Sequence, residues 1–181
     1  MPHLPCRPSA PFSRMYDPAA IPEWPGWNDT FENKPFAHEQ QAWNWNLESM
    51  PWEEMAGQVA RYYGMVSQID DAIGRILRHV DLKDTLVVFT SDHGDMCGNH
   101  RMLDKHCTLY QDIVRVPLIL AGAGIEAQVN DNLVSNCLDL PVTLAHLLGF
   151  APPEGAHGQS LFGPPRKTIT SSGNGQQVGM V

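Results

Sequence analysis

Asp92 and His93, followed by Gly94, are the first residues in this chain whose types and placing suggest chemistry. They follow Leu86, Val87, Val88 and Phe89, an apolar run rich in β-branched and aromatic residues. That run is too short for a helix and reads as a strand buried on both faces. A carboxylate and an imidazole set side by side where a central strand ends, with a glycine that lets the backbone turn, sit where open α/β sheets place their ligands. We read the pair as half of a metal site. Taken alone, Asp92 could merely cap the next turn and His93 could be a hydrogen-bonded structural histidine. Asp70 and Asp71 also invite a ligand reading, but mid-helix carboxylates are more often solvated or salt-bridged.

The elements that must position these groups follow from periodicity. Met55, Val59, Tyr62, Val66, Ile69, Ile73, Ile76 and Val80 recur at steps of three and four, which predicts one long amphipathic helix over 52–80. A short loop hands over to a strand at Thr85 to Ser91. After His93, residues 95–107 carry too many polar and cationic groups to be core. A second buried strand is expected at Val116 to Ala121, closed by the turn Gly122-Ala123-Gly124. A helix follows at Leu138 to Gly149, with Pro141 in its first turn and Gly149 ending it. Residues 1–50 are dense in proline, which removes donors and disfavours helix and central strand alike. They read as an irregular covering segment, held by Phe12, Tyr16, Trp24, Trp27 and Phe31. Residues 51–165 then form a partial α/β core. Residues 166–181 begin a further region, with weak strand character at Thr168 to Thr170 before a run of Gly, Asn and Gln.

Bulk properties exclude some classes. The 181 residues are 43% hydrophobic, enough for one core, and carry a formal charge of −8, which argues against nucleic-acid binding. No apolar run approaches the roughly 18 residues of a membrane span, and the N-terminus lacks a signal-peptide layout. Cys6, Cys97, Cys107 and Cys137 are widely spaced with no C-x-x-C pair, so mostly free thiols are expected.

Six pieces in order resemble the sulfatases of the alkaline phosphatase superfamily. They are Asp70-Asp71-Ala72-Ile73-Gly74-Arg75-Ile76-Leu77, Thr90-Ser91-Asp92-His93-Gly94-Asp95, Gly98-Asn99-His100-Arg101-Met102-Leu103-Asp104-Lys105, Arg115-Val116-Pro117-Leu118-Ile119, Asp139-Leu140-Pro141-Val142-Thr143-Leu144 and His157-Gly158-Gln159-Ser160-Leu161. The segment Pro2-His3-Leu4-Pro5 with Met15-Tyr16-Asp17-Pro18 is similar to the same family. The resemblance implies an alkaline phosphatase-like layered α/β fold with a largely parallel central sheet flanked by helices, incomplete in this chain. It implies that Asp92 and His93 are ligands of a divalent cation, commonly Ca²⁺, with Mg²⁺ or Mn²⁺ as alternatives. Lys105 matches the lysine that contacts the sulfate oxygens, and His3 an active-site histidine near the leaving group. A metal and an ammonium stabilise charge moving onto the leaving oxygen, and an imidazole can supply its proton. His100 and His106 flank the same loop; His100 could contact substrate, although a supporting role is preferred for both.

One departure matters. Sulfatases carry a cysteine, converted to formylglycine, within Cys-x-Pro-x-Arg, together with an aspartate pair. Cys6-Arg7-Pro8-Ser9-Ala10 has alanine where that segment needs arginine, so no nucleophile is assigned and the formylglycine segment is expected upstream of Met1. The resemblance therefore implies a sulfuric ester hydrolase acting on a small-molecule or glycan sulfate ester, with this stretch alone turning over negligibly. A phosphodiesterase or phosphonate monoester hydrolase of the same superfamily, or a non-catalytic sulfatase-like module, are the alternatives.

Overall fold

The structure, a computed structural model, describes residues 2–106, 108–173 and 177–180. It divides into two compact units, one of Met1–Asp81 with Asp95–Thr108, the other of Leu82–Gly94 with Leu109–Val181.

The first unit is built on helices α1 (Phe36–Asn44) and α2 (Trp52–Leu77). Helix α2 is the long amphipathic helix expected from the three-and-four spacing, ending three residues earlier than Val80. Glu53 and Glu54 in its first turn and Arg75 in its last complement the helix dipole. Its N-terminal half buries Met55, Ala56, Val59, Ala60 and Gly64, whereas Val66, Ile76 and Leu77 further along are exposed. Met55 and Val59 pack with Trp27, Leu47 and Leu103, and each such fully buried aliphatic side chain contributes about 1.5–3 kcal/mol. Trp24 and Trp27 meet Trp52 edge-on, with ring centroids 5.5 and 5.3 Å apart. A 3-10 turn at Phe12–Arg14 crosses α2 at Gly64, where a Cβ would come within 2.4 Å of the Phe12 carbonyl oxygen. Asp71 pairs with Arg75 at 3.2 Å on the exposed face of α2, as a solvated helical carboxylate does.

Residues 1–50 are less irregular than their proline content suggests. Pro35 stands just ahead of α1, and no proline falls between it and Pro51, so residues 36–44 are free to form a helix that the sequence reading missed.

The second unit contains strands β1 (Val87–Thr90) and β2 (Leu118–Ala121), a short helix α3 (Gln111–Val114), helix α4 (Asn136–Leu147) and strands β3 (Thr170–Gly173) and β4 (Gln177–Met180). The two expected strands form, but β1 and β2 pair antiparallel, Val87 opposite Ala121 and Thr90 opposite Leu118. The mixed α/β class stands; the parallel direction is corrected for this pair. A parallel pair needs a crossover, usually a helix. Among the described residues between β1 and β2 there are instead a 3-10 turn and the four-residue α3. Phe89 and Ile119 are exposed, so neither strand is buried on both faces among the described residues. Gly122, at φ +84°, turns the chain where a Cβ would meet the Thr85 carbonyl.

Helix α4 starts two residues before Leu138, which places Pro141 as its sixth residue, beyond the first turn. Gly149, at φ +73°, ends it as expected: its N–H reaches the His146 carbonyl and that of Phe150 the Ala145 carbonyl, closing the orphan acceptors. In the tail β3 and β4 pair antiparallel, Thr170 opposite Met180, where only weak strand character at Thr168 to Thr170 was expected. Cys6 and Cys137 are free thiols; Cys107 lies outside the described residues. No helix is long and apolar enough to cross a membrane among them.

Candidate active site

In the second unit, Asp92 and His93 follow directly on β1. Gly94 donates its N–H to the Ile113 carbonyl at 2.8 Å, and a Cβ on it would lie 1.8 Å from the Asp112 carbonyl oxygen. Only glycine lets α3 approach this closely. From the other side, Asn136 at the start of α4 donates through Nδ2 to the Ser91 carbonyl at 2.6 Å and to Thr90 Oγ1 at 3.1 Å. Ser91 Oγ donates to the His93 carbonyl at 2.8 Å. The backbone under the pair is therefore fixed by three neighbours.

The side chains themselves are open. His93 Nδ1 donates to the Gly94 carbonyl at 2.7 Å, which leaves the lone pair on Nε2, 3.6 Å from Asp92 Oδ2. Asp92 is well exposed, and what burial it has acts to raise its pKa. The His93 N–H on Oδ1 and the imidazole outweigh that and hold the carboxyl below its usual range. An oxygen and a nitrogen acceptor facing one space suit a divalent cation in kind. They do not suffice in number, because calcium takes six to eight oxygens. No group of three or more His, Cys, Asp or Glu stands ready for a metal ion among the described residues.

In the first unit, His3 and Lys105, 102 positions apart, come together: Lys105 Nζ donates to His3 Nε2 at 2.6 Å. His3 Nδ1 donates to the Leu4 carbonyl at 2.8 Å, which fixes Nε2 as the acceptor. Asp104 holds the ammonium from the other side, Oδ1 to Nζ at 2.8 Å, while its Oδ2 lies 3.2 Å from His106 Nε2. Burial raises the Asp104 pKa, but Lys105, by hydrogen bond and by charge, and then His106 bring it below the ordinary value. Sequence reasoning missed Asp104, although its place beside Lys105 could have flagged it. It also missed Asn136, for which no local signal exists.

His100 is otherwise engaged. Its Nδ1 meets Asp29 Oδ2 at 2.6 Å, and Lys34 also pairs with Asp29. It ties a loop to the N-terminal segment, which does not favour substrate contact. Cys6 is buried, and burial, then the nearby Asp95, push its thiol pKa up although Arg61 pulls the other way. A nucleophilic thiol needs the opposite.

The sulfatase family model matches residues 3–150. The chain is 37% identical over 125 residues to a Delta 4,5-hexuronate-2-O-sulfatase of Bacteroides thetaiotaomicron, covering 67% of this chain and 26% of that protein. It is 37% identical over 107 residues to arylsulfatase K of Mus musculus, covering 57% and 19% respectively. Among solved structures it is similar to a phosphonate monoester hydrolase from Silicibacter pomeroyi, with a TM-score of 0.71 and 27% identity, covering 84% of this chain and 33% of that one. The chain thus spans a third or less of the length of these relatives. With the matched model running from His3 past the end of α4, the chain belongs to the sulfatase family.

Proposed function

We propose that this chain carries the second half of a sulfatase active site and that the whole protein hydrolyses sulfate esters. The observation that carries this is the meeting of His3 and Lys105 across 102 positions, an imidazole and an ammonium held together at the edge of a loop. Sulfate ester cleavage moves negative charge onto the leaving oxygen. Lys105 would bind sulfate oxygens electrostatically, a role supported by the Asp104 carboxylate that fixes its direction. His3 Nε2 accepts a hydrogen bond from Lys105, which stays an ammonium; once protonated from solvent, the same nitrogen can donate a proton to the leaving oxygen.

Asp92 Oδ2 and His93 Nε2 would hold a divalent cation, which when bound neutralises charge on the sulfate group. The family's common ion is calcium, with magnesium and manganese as alternatives; an imidazole donor weighs toward manganese, since calcium prefers oxygen throughout. Formylglycine supplies the nucleophile in the family, and none is assigned to residues 2–106 or 108–173. The substrate is a small-molecule or glycan sulfate ester, as the names of the relatives suggest.

Turnover of matched aryl sulfate and aryl phosphate esters by the full-length gene product tests this reading. Preference for the sulfate, abolished by chelation and restored by a divalent cation, is expected. Phosphonate monoester or phosphodiester hydrolysis is the second reading, favoured by the likeness to the phosphonate monoester hydrolase; a preference for phosphorus would select it. No turnover of either would point to a non-catalytic module.

A further inference from the structure

Cys97, His100, Arg101 and Asp104 all hold positive φ, between 45° and 66°. This left-handed region is unfavourable for residues with side chains. Such conformations persist only where the surroundings over-determine them, and they gather where pre-organisation matters. Within the loop, Met96 N–H bonds the Asp104 carbonyl at 3.1 Å and Gly98 N–H the Met102 carbonyl at 2.9 Å, closing it on itself. From outside, Trp24 Nε1 donates to the Cys97 carbonyl at 2.9 Å and Asp29 holds His100. The broadest grip is that of Arg101. Its Nη1 donates to the carbonyls of Leu47 at 2.7 Å and Glu48 at 3.1 Å, and its guanidinium lies 4.7 Å from the centre of the Trp27 ring. Donating to two backbone carbonyls while stacking on an aromatic face suits a planar guanidinium and not an ammonium.

We propose that Arg101 is a positioning residue: by gripping the Leu47 and Glu48 carbonyls it holds the 97–104 loop in the strained form that presents Lys105 to a bound oxyanion. This rests on the reading of Lys105 as the group that meets the sulfate. Arg101 does not touch the reacting atoms and acts through Lys105, which follows the strained loop directly and whose ammonium is held between Asp104 and His3.

The test is made on the full-length protein with Arg101→Ala and Arg101→Lys. Acylation of Lys105 by an amine-reactive ester is followed by peptide mass spectrometry against Lys83 and Lys167 as internal references, and kcat and KM are measured on an aryl sulfate. In Arg101→Ala, Lys105 should acylate several-fold faster relative to the references. Because displacing a catalytic group by about 1 Å can cost about a hundredfold, kcat should fall about ten- to a hundredfold with KM changed far less. Arg101→Lys keeps a charge near Trp27 but cannot span both carbonyls while stacking, and should fall between. Unchanged Lys105 reactivity in folded Arg101→Ala, or a rise in step at all three lysines, overturns the proposal. If Arg101→Ala does not accumulate as folded protein, wild-type Lys105 reactivity in Arg101→Lys overturns it equally. Labelling reports on Arg101 by itself, whereas full aryl sulfate turnover by Lys105→Ala would sink the sulfate reading instead.

Discussion

The two clusters of candidate site residues are held in opposite ways. Asp92 and His93 sit on backbone fixed by close contacts from α3 and α4, and their side chains remain open. Lys105 directly follows a strained loop held at Leu47, Glu48, Asp29 and Trp24, 53 to 73 positions away in the chain, and its ammonium is already paired with Asp104 and His3. The difference fits the tasks proposed for the two clusters. A metal ligand must keep its lone pair free and needs only its direction fixed, whereas an ammonium meant for an oxyanion gains from being fixed before the oxyanion arrives. Substitutions should therefore behave differently at the two places.

The largest expected effect is that of Lys105→Ala. Removing one fixed charge from a developing oxyanion typically costs about 10²–10³ in kcat, or about 2.7–4 kcal/mol. Steady-state kinetics of the full-length protein on an aryl sulfate should show this loss, with metal affinity unchanged. A parallel loss of metal binding would erase the contrast between the clusters.

Next comes Met55→Ala. Met55 is buried in the core of the first unit and packs beneath Gly98, where a Cβ would approach its Cγ to 2.6 Å. Truncation should cost about 2–5 kcal/mol of stability. Hydrogen exchange should show the 97–104 loop loosening while the amide of Gly94, bonded to Ile113, keeps its protection. Loosening of both would mean that the clusters are less independent than their separate anchors imply.

The two clusters also differed in how far they could be read from sequence. Asp92-His93-Gly94 after an apolar run is a local pattern, and the structure puts that run in a strand. Val66, Ile73 and Ile76 gave the helix period but not its burial, because what covers α2 comes from residues 1–50 and the loop around Gly98 and Leu103, distant in sequence, and the buried residues all lie in its N-terminal half. Strand direction was not legible, since apolar content says nothing about how the chain returns. Helix α1 was missed because prolines on both sides obscured the proline-free window between them. Arg101, Asp29 and Asn136 were invisible for a common reason. Each works through one or two hydrogen bonds to a distant partner, and no spacing announces those.

A smaller effect is expected of Asn136→Ala. Its amide fixes the Ser91 carbonyl and hence the backbone that carries Asp92. Loss of a group that orients a metal ligand typically weakens binding about tenfold, the low end of the range for such partners. Titration calorimetry with Mn²⁺ on the full-length protein should read this, while Lys105 acylation stays at its wild-type rate. A shift in Lys105 reactivity would contradict the separation of the two clusters.

The smallest effect, and the one that best separates the clusters, is the response to acid. Asp104 and Asp29, both largely buried in the first unit, have pKa values lowered on balance: burial opposes the shift, but Lys105 and His106 at the one and Lys34 and His100 at the other prevail. A carboxyl whose pKa is lower folded than unfolded adds stability above the unfolded value, and that stability is lost as pH falls through the folded value. Unfolding measured from neutral pH down through the ordinary carboxylate range should therefore show a loss in wild type that is reduced in Asp104→Asn and in Asp29→Asn. The Asp92 pKa is lowered too, but its carboxylate is exposed to solvent and salt, so Asp92→Asn should leave the acid limb of the stability profile nearly unchanged. An acid limb moved by Asp92→Asn as much as by Asp104→Asn would mean that the Asp92–His93 pair is clamped like the lysine loop, and the contrast in their construction would fail.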